Sequence, residues 1–185
     1  TVLGNHDLYL LYLISINKGK GKLKKIIEAE NIKQIFEWLI TRPLLIQTSN
    51  QSTNNKFIIT HAGIPEIWSL KKAQDLADEV TQALTNNSSK ILKGMWGDNP
   101  KSWNESLTGN ERYRIIINYF TRMRFLGNDA SLDLRNTTTN ASKGFKPWFH
   151  YESASYKKMN QYYVFGHWAS LNGKTKNPHF IGLDT

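Results

Sequence analysis

Gly4-Asn5-His6-Asp7 stands between an apolar pair, Val2-Leu3, and an apolar run from Leu8 to Ile16. The arrangement recurs twice. Phe57-Ile58-Ile59-Thr60 leads into His61-Ala62-Gly63, and Tyr162-Tyr163-Val164-Phe165 leads into Gly166-His167-Trp168. Each time a short β-type run ends at a small residue and a side chain able to bind metal. Open α/β sheets place their sites at the carboxyl ends of strands, so Asn5, His61 and His167 are expected to meet. They would offer one amide oxygen and two imidazole nitrogens, donors suited to divalent cations. Two such cations about 3.5–4 Å apart clamp both oxygens of an in-line displacement and bring the pKa of a bridging water towards ~7. That chemistry cleaves phosphate esters and anhydrides. All three donors are neutral, so a working dinuclear centre also needs carboxylates. Protonated His6 would donate to a leaving oxygen or stabilise the charge of the transition state. Asp7 either holds that imidazole or caps the helix that starts there, and the cap is the simpler role. Taken singly, these residues have ordinary readings as a satisfied polar histidine or a turn asparagine; their recurrence after β-type runs makes the case for a site.

The elements that must position them read as follows. Val2-Leu3 looks like the end of a strand, and Leu8 to about Ile16 reads as a helix opening after the first motif. Ile32, Ile35, Phe36, Leu39 and Ile40 recur at helical spacing, and Arg42-Pro43 ends that helix. Leu44–Gln47 and Phe57–Thr60 read as strands joined by a polar turn. Ala73, Leu76, Ala77, Val80 and Leu84 mark an amphipathic helix, and Tyr113, Ile116, Ile117, Phe120 and Met123 another. Gly94 to Pro100 reads as an irregular aromatic loop; Leu132 and Leu134 suggest a short strand in an otherwise polar stretch. The last strands are Tyr162–Phe165 and His179–Leu183. This order predicts an α/β core with residues 68–150 as a helical cap insertion.

A chain of 185 residues suffices for one domain with a real core. It opens on Thr1 within an apparent strand and stops just after an apolar pair, so we expect a piece of a longer protein. No stretch is long and apolar enough to span a membrane. There are no cysteines, which excludes disulfides and thiolate metal sites and makes a cytoplasmic setting the expectation. The Asn-x-Ser/Thr triplets at Asn136 and Asn140 are chance matches in an Asn-rich chain. A formal net charge of +9 favours anionic partners such as polyphosphates, nucleotides or RNA. The densest basic run, Lys18 to Lys25, is interleaved with glycine and has no aromatic to stack a base, so it reads as a flexible loop.

The three motifs resemble the later blocks of the calcineurin-like metallophosphoesterases. Longer stretches are similar to one branch, the symmetrical bis(5'-nucleosyl)-tetraphosphatases. They are Val2–Leu8, His61–Ile64, Met95-Trp96-Gly97-Asp98, Phe120–Phe125, Lys146–Phe149, Phe165–Leu171 and the closing Leu183-Asp184-Thr185. A protein phosphatase would be expected to carry Glu at position 7 and Gly at position 62, where this chain has Asp7 and Ala62. The resemblance implies a four-layer αββα sandwich, partial here, with a dinuclear centre for which Mn²⁺ or Co²⁺ is expected. Asn5, His61 and His167 match ligands of the second metal, and His6 the catalytic histidine. The implied reaction is hydrolysis of diadenosine tetraphosphate to two ADP by attack of a metal-activated water. Two earlier Gly-Asp blocks of the family are absent, so weak metal binding and little turnover are expected of this chain alone. Nucleotide-capped RNA is a further implied substrate. The alternatives are a broader phosphoprotein phosphatase or phosphodiesterase, or a non-catalytic nucleotide- or RNA-binding module.

Arg122 and Arg124, two apart on a helix, face differently, so one of them is expected to reach substrate phosphate with its planar fork. Trp96, Trp148 and Trp168 offer faces for adenine, with core packing expected to claim at least two of them. Lys146 is a weaker phosphate candidate, and His150 and His179 read as structural.

Overall fold

Two sheets of unequal character organise the molecule. The computed structural model describes residues 1–19, 21–152, 156 and 159–184. Helix α1 (Asn5–Ser15) is followed by a 3₁₀ turn at Gly21–Leu23, a single-turn helix α2 (Lys24–Ile27) and helix α3 (Ile32–Ile40). Strands β1 (Leu45–Asn50) and β2 (Asn55–Thr60) form a hairpin. Helices α4 (Leu70–Asn86), α5 (Ser88–Gly94) and α6 (Gly109–Arg122) come next, then strands β3 (Phe125–Gly127), β4 (Leu132–Asp133) and β5 (Phe145–Pro147). Strands β6 (Gln161–Phe165) and β7 (Phe180–Gly182) complete the described chain.

The larger sheet has the order β1-β2-β6-β7, with β1 antiparallel to β2 and the pairs β2·β6 and β6·β7 parallel. The smaller, β4-β3-β5, is antiparallel throughout. An aromatic seam joins them: Phe125 meets Trp168 edge-on at 4.7 Å, and Trp148 meets Phe165 at 5.1 Å. The α/β class is as read, and the mixed sheet is consistent with the metallophosphoesterase fold.

The long helices follow from their apolar spacing. Ala73, Leu76, Ala77, Val80 and Leu84 form the buried stripe of α4, and the Ser69 hydroxyl accepts the Lys72 N–H to cap it. Ile116, Ile117 and Phe120 do the same for α6. Trp68 sits at their junction, edge-on to Tyr119 at 5.0 Å. Burying a large apolar side chain is worth about 1.5–3 kcal/mol, so these stripes seat the helices against the sheets in one continuous core.

Four expectations need correction. Helix α1 starts at Asn5, inside the first motif, because the Asp7 carboxylate accepts the Gly4 N–H at 2.8 Å and closes the first turn. Val2-Leu3 joins neither sheet; the Leu3 N–H donates to the Pro43 carbonyl at 2.9 Å instead. Residues 68–150 are not uniformly helical: α4–α6 are, but 125–147 builds the second sheet. The basic run is partly ordered, with Gly21–Leu23 inside it and α2 beginning at Lys24; Lys20 of that run, and the closing Thr185, lie outside the described residues.

Candidate active site

Parallel pairing of β2 with β6 sets the site. Ile59 is level with Val164, and just beyond the ladder the Gly166 N–H donates to the His61 carbonyl at 2.9 Å. The two strands therefore release their chains side by side, and the rings of His61 and His167 stand 5.1 Å apart. Asn5 arrives from the first turn of α1, its Oδ1 3.0 Å from His61 Nε2. Gly4 makes this possible: a β-carbon there would stand 2.7 Å from two atoms of the His61 ring. The three donors read from the sequence thus converge.

Both imidazoles are tuned to stay neutral. Burial lowers the pKa of His61, against which the charges of Asp7 and Asp184 raise it. His167 falls further, to about 3, through burial, then the charges of Arg124 and His61. A neutral imidazole keeps a lone pair for a cation. His167 Nε2 is buried and has no hydrogen-bond partner, which is costly unless another group uses it. Its backbone is also in the left-handed region, φ 64°, a conformation worth about 1–3 kcal/mol of strain in a non-glycine residue. An orphaned nitrogen on a strained backbone, beside a second imidazole and an amide oxygen, fits a divalent cation as part of its donor set. Among the described residues no cluster of three or more His, Cys, Asp or Glu is arranged for a metal, so the carboxylates of a complete centre are not grouped here.

A cleft of about 330 Å³ opens beside Asn5; His61 and His167 do not line it. Asn5, His6 and Tyr9 of α1 form one wall; Trp96, Asp98 and Arg122 stand on the others. Arg122 is held in place: Nη2 donates to Asp98 at 3.0 Å, and Nη1 to Asn118 Oδ1 at 3.1 Å. Trp96 is 40% exposed and is gripped edge-on by Tyr12 at 5.3 Å and Tyr9 at 5.9 Å.

Comparison with known proteins bears on what such a site does. No family profile matches the chain. It is 43% identical over 192 residues to a protein of Azotobacter vinelandii named "Bis(5'-nucleosyl)-tetraphosphatase, symmetrical", covering 100% of this chain and 67% of that protein. A Marinomonas protein of the same name is 40% identical over 193 residues, with the same coverage. One from Pseudomonas putida is 40% identical over 191 residues, 64% of its length. The chain belongs to the symmetrical bis(5'-nucleosyl)-tetraphosphatase family. It spans about two thirds of the length of these curated relatives, whose name denotes hydrolases acting on phosphoric anhydrides.

Within this tetraphosphatase-family chain the remaining candidates separate. Exposed His6 lines the cleft. Asp7 is spent on the Gly4 N–H, the helix cap rather than a brace for His6. The two arginines diverge: Arg122 faces the cleft, whereas half-buried Arg124 donates to the His167 carbonyl at 3.0 Å and braces the strained turn. Burial and then the Arg122 charge lower the Arg124 pKa. Trp148 does not suit stacking; it is fully buried, edge-on to Phe165 and Phe180. Trp168 is buried too, its Nε1 donating to the Thr138 carbonyl. Lys146 is exposed, away from the cleft, its ammonium 3.9 Å over the Tyr151 ring. His179 Nδ1 is 2.9 Å from the Gln161 carbonyl, a structural contact.

Sequence reasoning missed the supports. Tyr9 and Tyr12 share a face of α1 by their i, i+3 spacing, which could have been read. Asn118 lies one turn before Arg122 on α6, an i, i+4 pair that could also have been read, whereas Asp98 holds Arg122 across 24 residues that carry no local signal. Asp184 follows the last strand as His61 and His167 follow theirs, and the same logic would have found it.

Proposed function

We propose that this chain carries one half of a hydrolytic centre that cleaves diadenosine tetraphosphate into two ADP. The observation that carries the reading is the meeting of Asn5 Oδ1 and His61 Nε2 at 3.0 Å beside the buried, unpartnered Nε2 of His167. Those three atoms would hold one divalent cation, Mn²⁺ or Co²⁺ by the family resemblance. Bound there, such a cation supplies Lewis-acid polarisation of a phosphoryl oxygen and a lowered pKa for a water. The chain's own residues do the rest. Arg122, preorganised by Asp98 and Asn118, neutralises phosphate charge without having to order itself first. His6, at the exposed end of the cleft, delivers a proton to the departing phosphate oxygen. Trp96 presents an open face to one adenine. The first turn of α1 adds backbone N–H groups and a positive dipole end near the phosphates.

Product analysis by chromatography tests the reading, with diadenosine tetraphosphate and Mn²⁺ or Co²⁺ supplied to the 185-residue protein. Slow turnover is expected, because the donors on this chain carry no charge, with ADP as the nucleotide product. His6→Ala should lower kcat by about 10²–10⁴-fold with little change in KM. AMP together with ATP as products, or no turnover with either metal, would overturn it.

A further inference from the structure

Asp184 follows β7 as His61 follows β2 and His167 follows β6. The three strands are parallel neighbours, so their carboxyl ends open on one side of the sheet. The Leu183 N–H donates to the Phe165 carbonyl at 2.8 Å, which sets Asp184 beside Gly166. How close it lies is measured at that glycine: a β-carbon on Gly166 would stand 2.7 Å from Asp184 Oδ1 and 3.3 Å from its Cγ. The carboxylate therefore occupies the space that any larger residue at 166 would take. Gly166 is itself pinned to the His61 carbonyl and precedes the strained His167, so the Asp184 side chain rests on the turn that links both imidazoles. Its negative charge acts at His61 across this gap. Among the described residues no lysine or arginine forms an ion pair with it.

We propose that Asp184 is a positioning residue of the centre: it fills the notch left by Gly166, steadies the Gly166–His167 turn, and supplies negative charge that the neutral donors Asn5, His61 and His167 lack. The inference rests on the reading above that those donors hold a divalent cation. Carboxylates outside the donor set commonly change metal affinity by about 10–100-fold, and the three strand ends give Asp184 the place for that role.

Asp184→Asn keeps the shape in the notch and removes the charge. Calorimetric titration of Mn²⁺ into the 185-residue protein and into this variant reads the effect directly, and thermal unfolding in EDTA reads any purely structural contribution. The expected result is a loss of about 10–100-fold in Mn²⁺ affinity with an unchanged Tm in EDTA. Equal affinity in the two proteins would overturn the proposal, as would a Tm in EDTA that falls along with affinity, since that marks a structural role alone. Absence of saturable Mn²⁺ binding by the parent protein would instead overturn the metal-centre reading, and this inference with it, so the two failures are told apart.

Discussion

Gly4 offers the sharpest test of how the site is assembled. Its backbone, at φ −104° and ψ 172°, is open to any residue, so a requirement for glycine there is one of space. A β-carbon would lie 2.7 Å from Cε1 and Nδ1 of His61 and 3.0 Å from Cγ. Carbon contacts become comfortable at about 3.5 Å, so the ring must retreat by roughly 0.7–0.8 Å. A shift of that size disturbs the 3.0 Å contact between the ring and Asn5, since hydrogen bonds of this kind hold only to about 3.2 Å. Overpacking of this kind costs about 1–3 kcal/mol, which for a chain of this length lowers Tm by roughly 2–12 °C. Gly4 is also the N-cap of α1, so Gly4→Ala alone would mix two effects. Gly4→Ser separates them: serine is a better cap than alanine by about 0.5–2 kcal/mol, yet carries the same β-carbon. Thermal unfolding in EDTA should show both variants destabilised, and calorimetry should show both with weakened Mn²⁺ binding. A Gly4→Ser protein as stable as the parent, with parental Mn²⁺ affinity, would refute the seating of His61 against Gly4.

Other expected outcomes follow from the same geometry. Burial holds the folded-state pKa of His61 below its ordinary value and that of His167 down to about 3. The unfolded chain takes up these protons near pH 6.5, so it binds more protons than the folded one below that pH. Stability should therefore fall as pH drops from about 6.5 towards 3, with His167→Gln flattening the slope of Tm in EDTA against pH; an unaltered slope would count against a buried neutral His167. Trp96→Ala should raise KM for diadenosine tetraphosphate by about 5–150-fold, the range for one lost base stack, and lower Tm by a few degrees through the lost contacts with Tyr9 and Tyr12. Arg112 grips Glu79 through two bonds of 2.7 and 2.8 Å and lies over the Trp103 ring. Arg112→Ala should cost about 1–3 kcal/mol in urea unfolding without altering Mn²⁺ affinity, a control for effects that are structural only.

Much of this molecule was legible in its sequence, for identifiable reasons. The stripe Ala73–Leu84 and the run Ile116–Phe120 repeat every three or four residues, and both became buried helix faces. The β-type runs before His61 and His167 became β2 and β6, and their adjacency in parallel brought the two imidazoles together. The second sheet was not legible beyond Leu132. Its strands are two or three residues long, too short for alternation to register, and they are held by distant contacts such as Phe125 on Trp168 and, just after β5, Trp148 on Phe165. The roles of the arginines were hidden for another reason. Whether Arg122 or Arg124 faces the cleft depends on acceptors at Asp98 and at the His167 carbonyl, 24 and 43 residues away. Asp7 was readable as a cap because its partner is three residues away.

The 5.1 Å between the two imidazoles is close to the ~4.8 Å at which neighbouring strands lie in any sheet. The backbone ladder therefore sets the spacing of this pair of rings, and neighbours such as Gly4 only trim it. Asn5 is set differently, by the angle at which a helix enters. Attempts to retune which cation the protein prefers should accordingly leave the histidines alone and work on the pitch of that helix and the chemistry of its first residue.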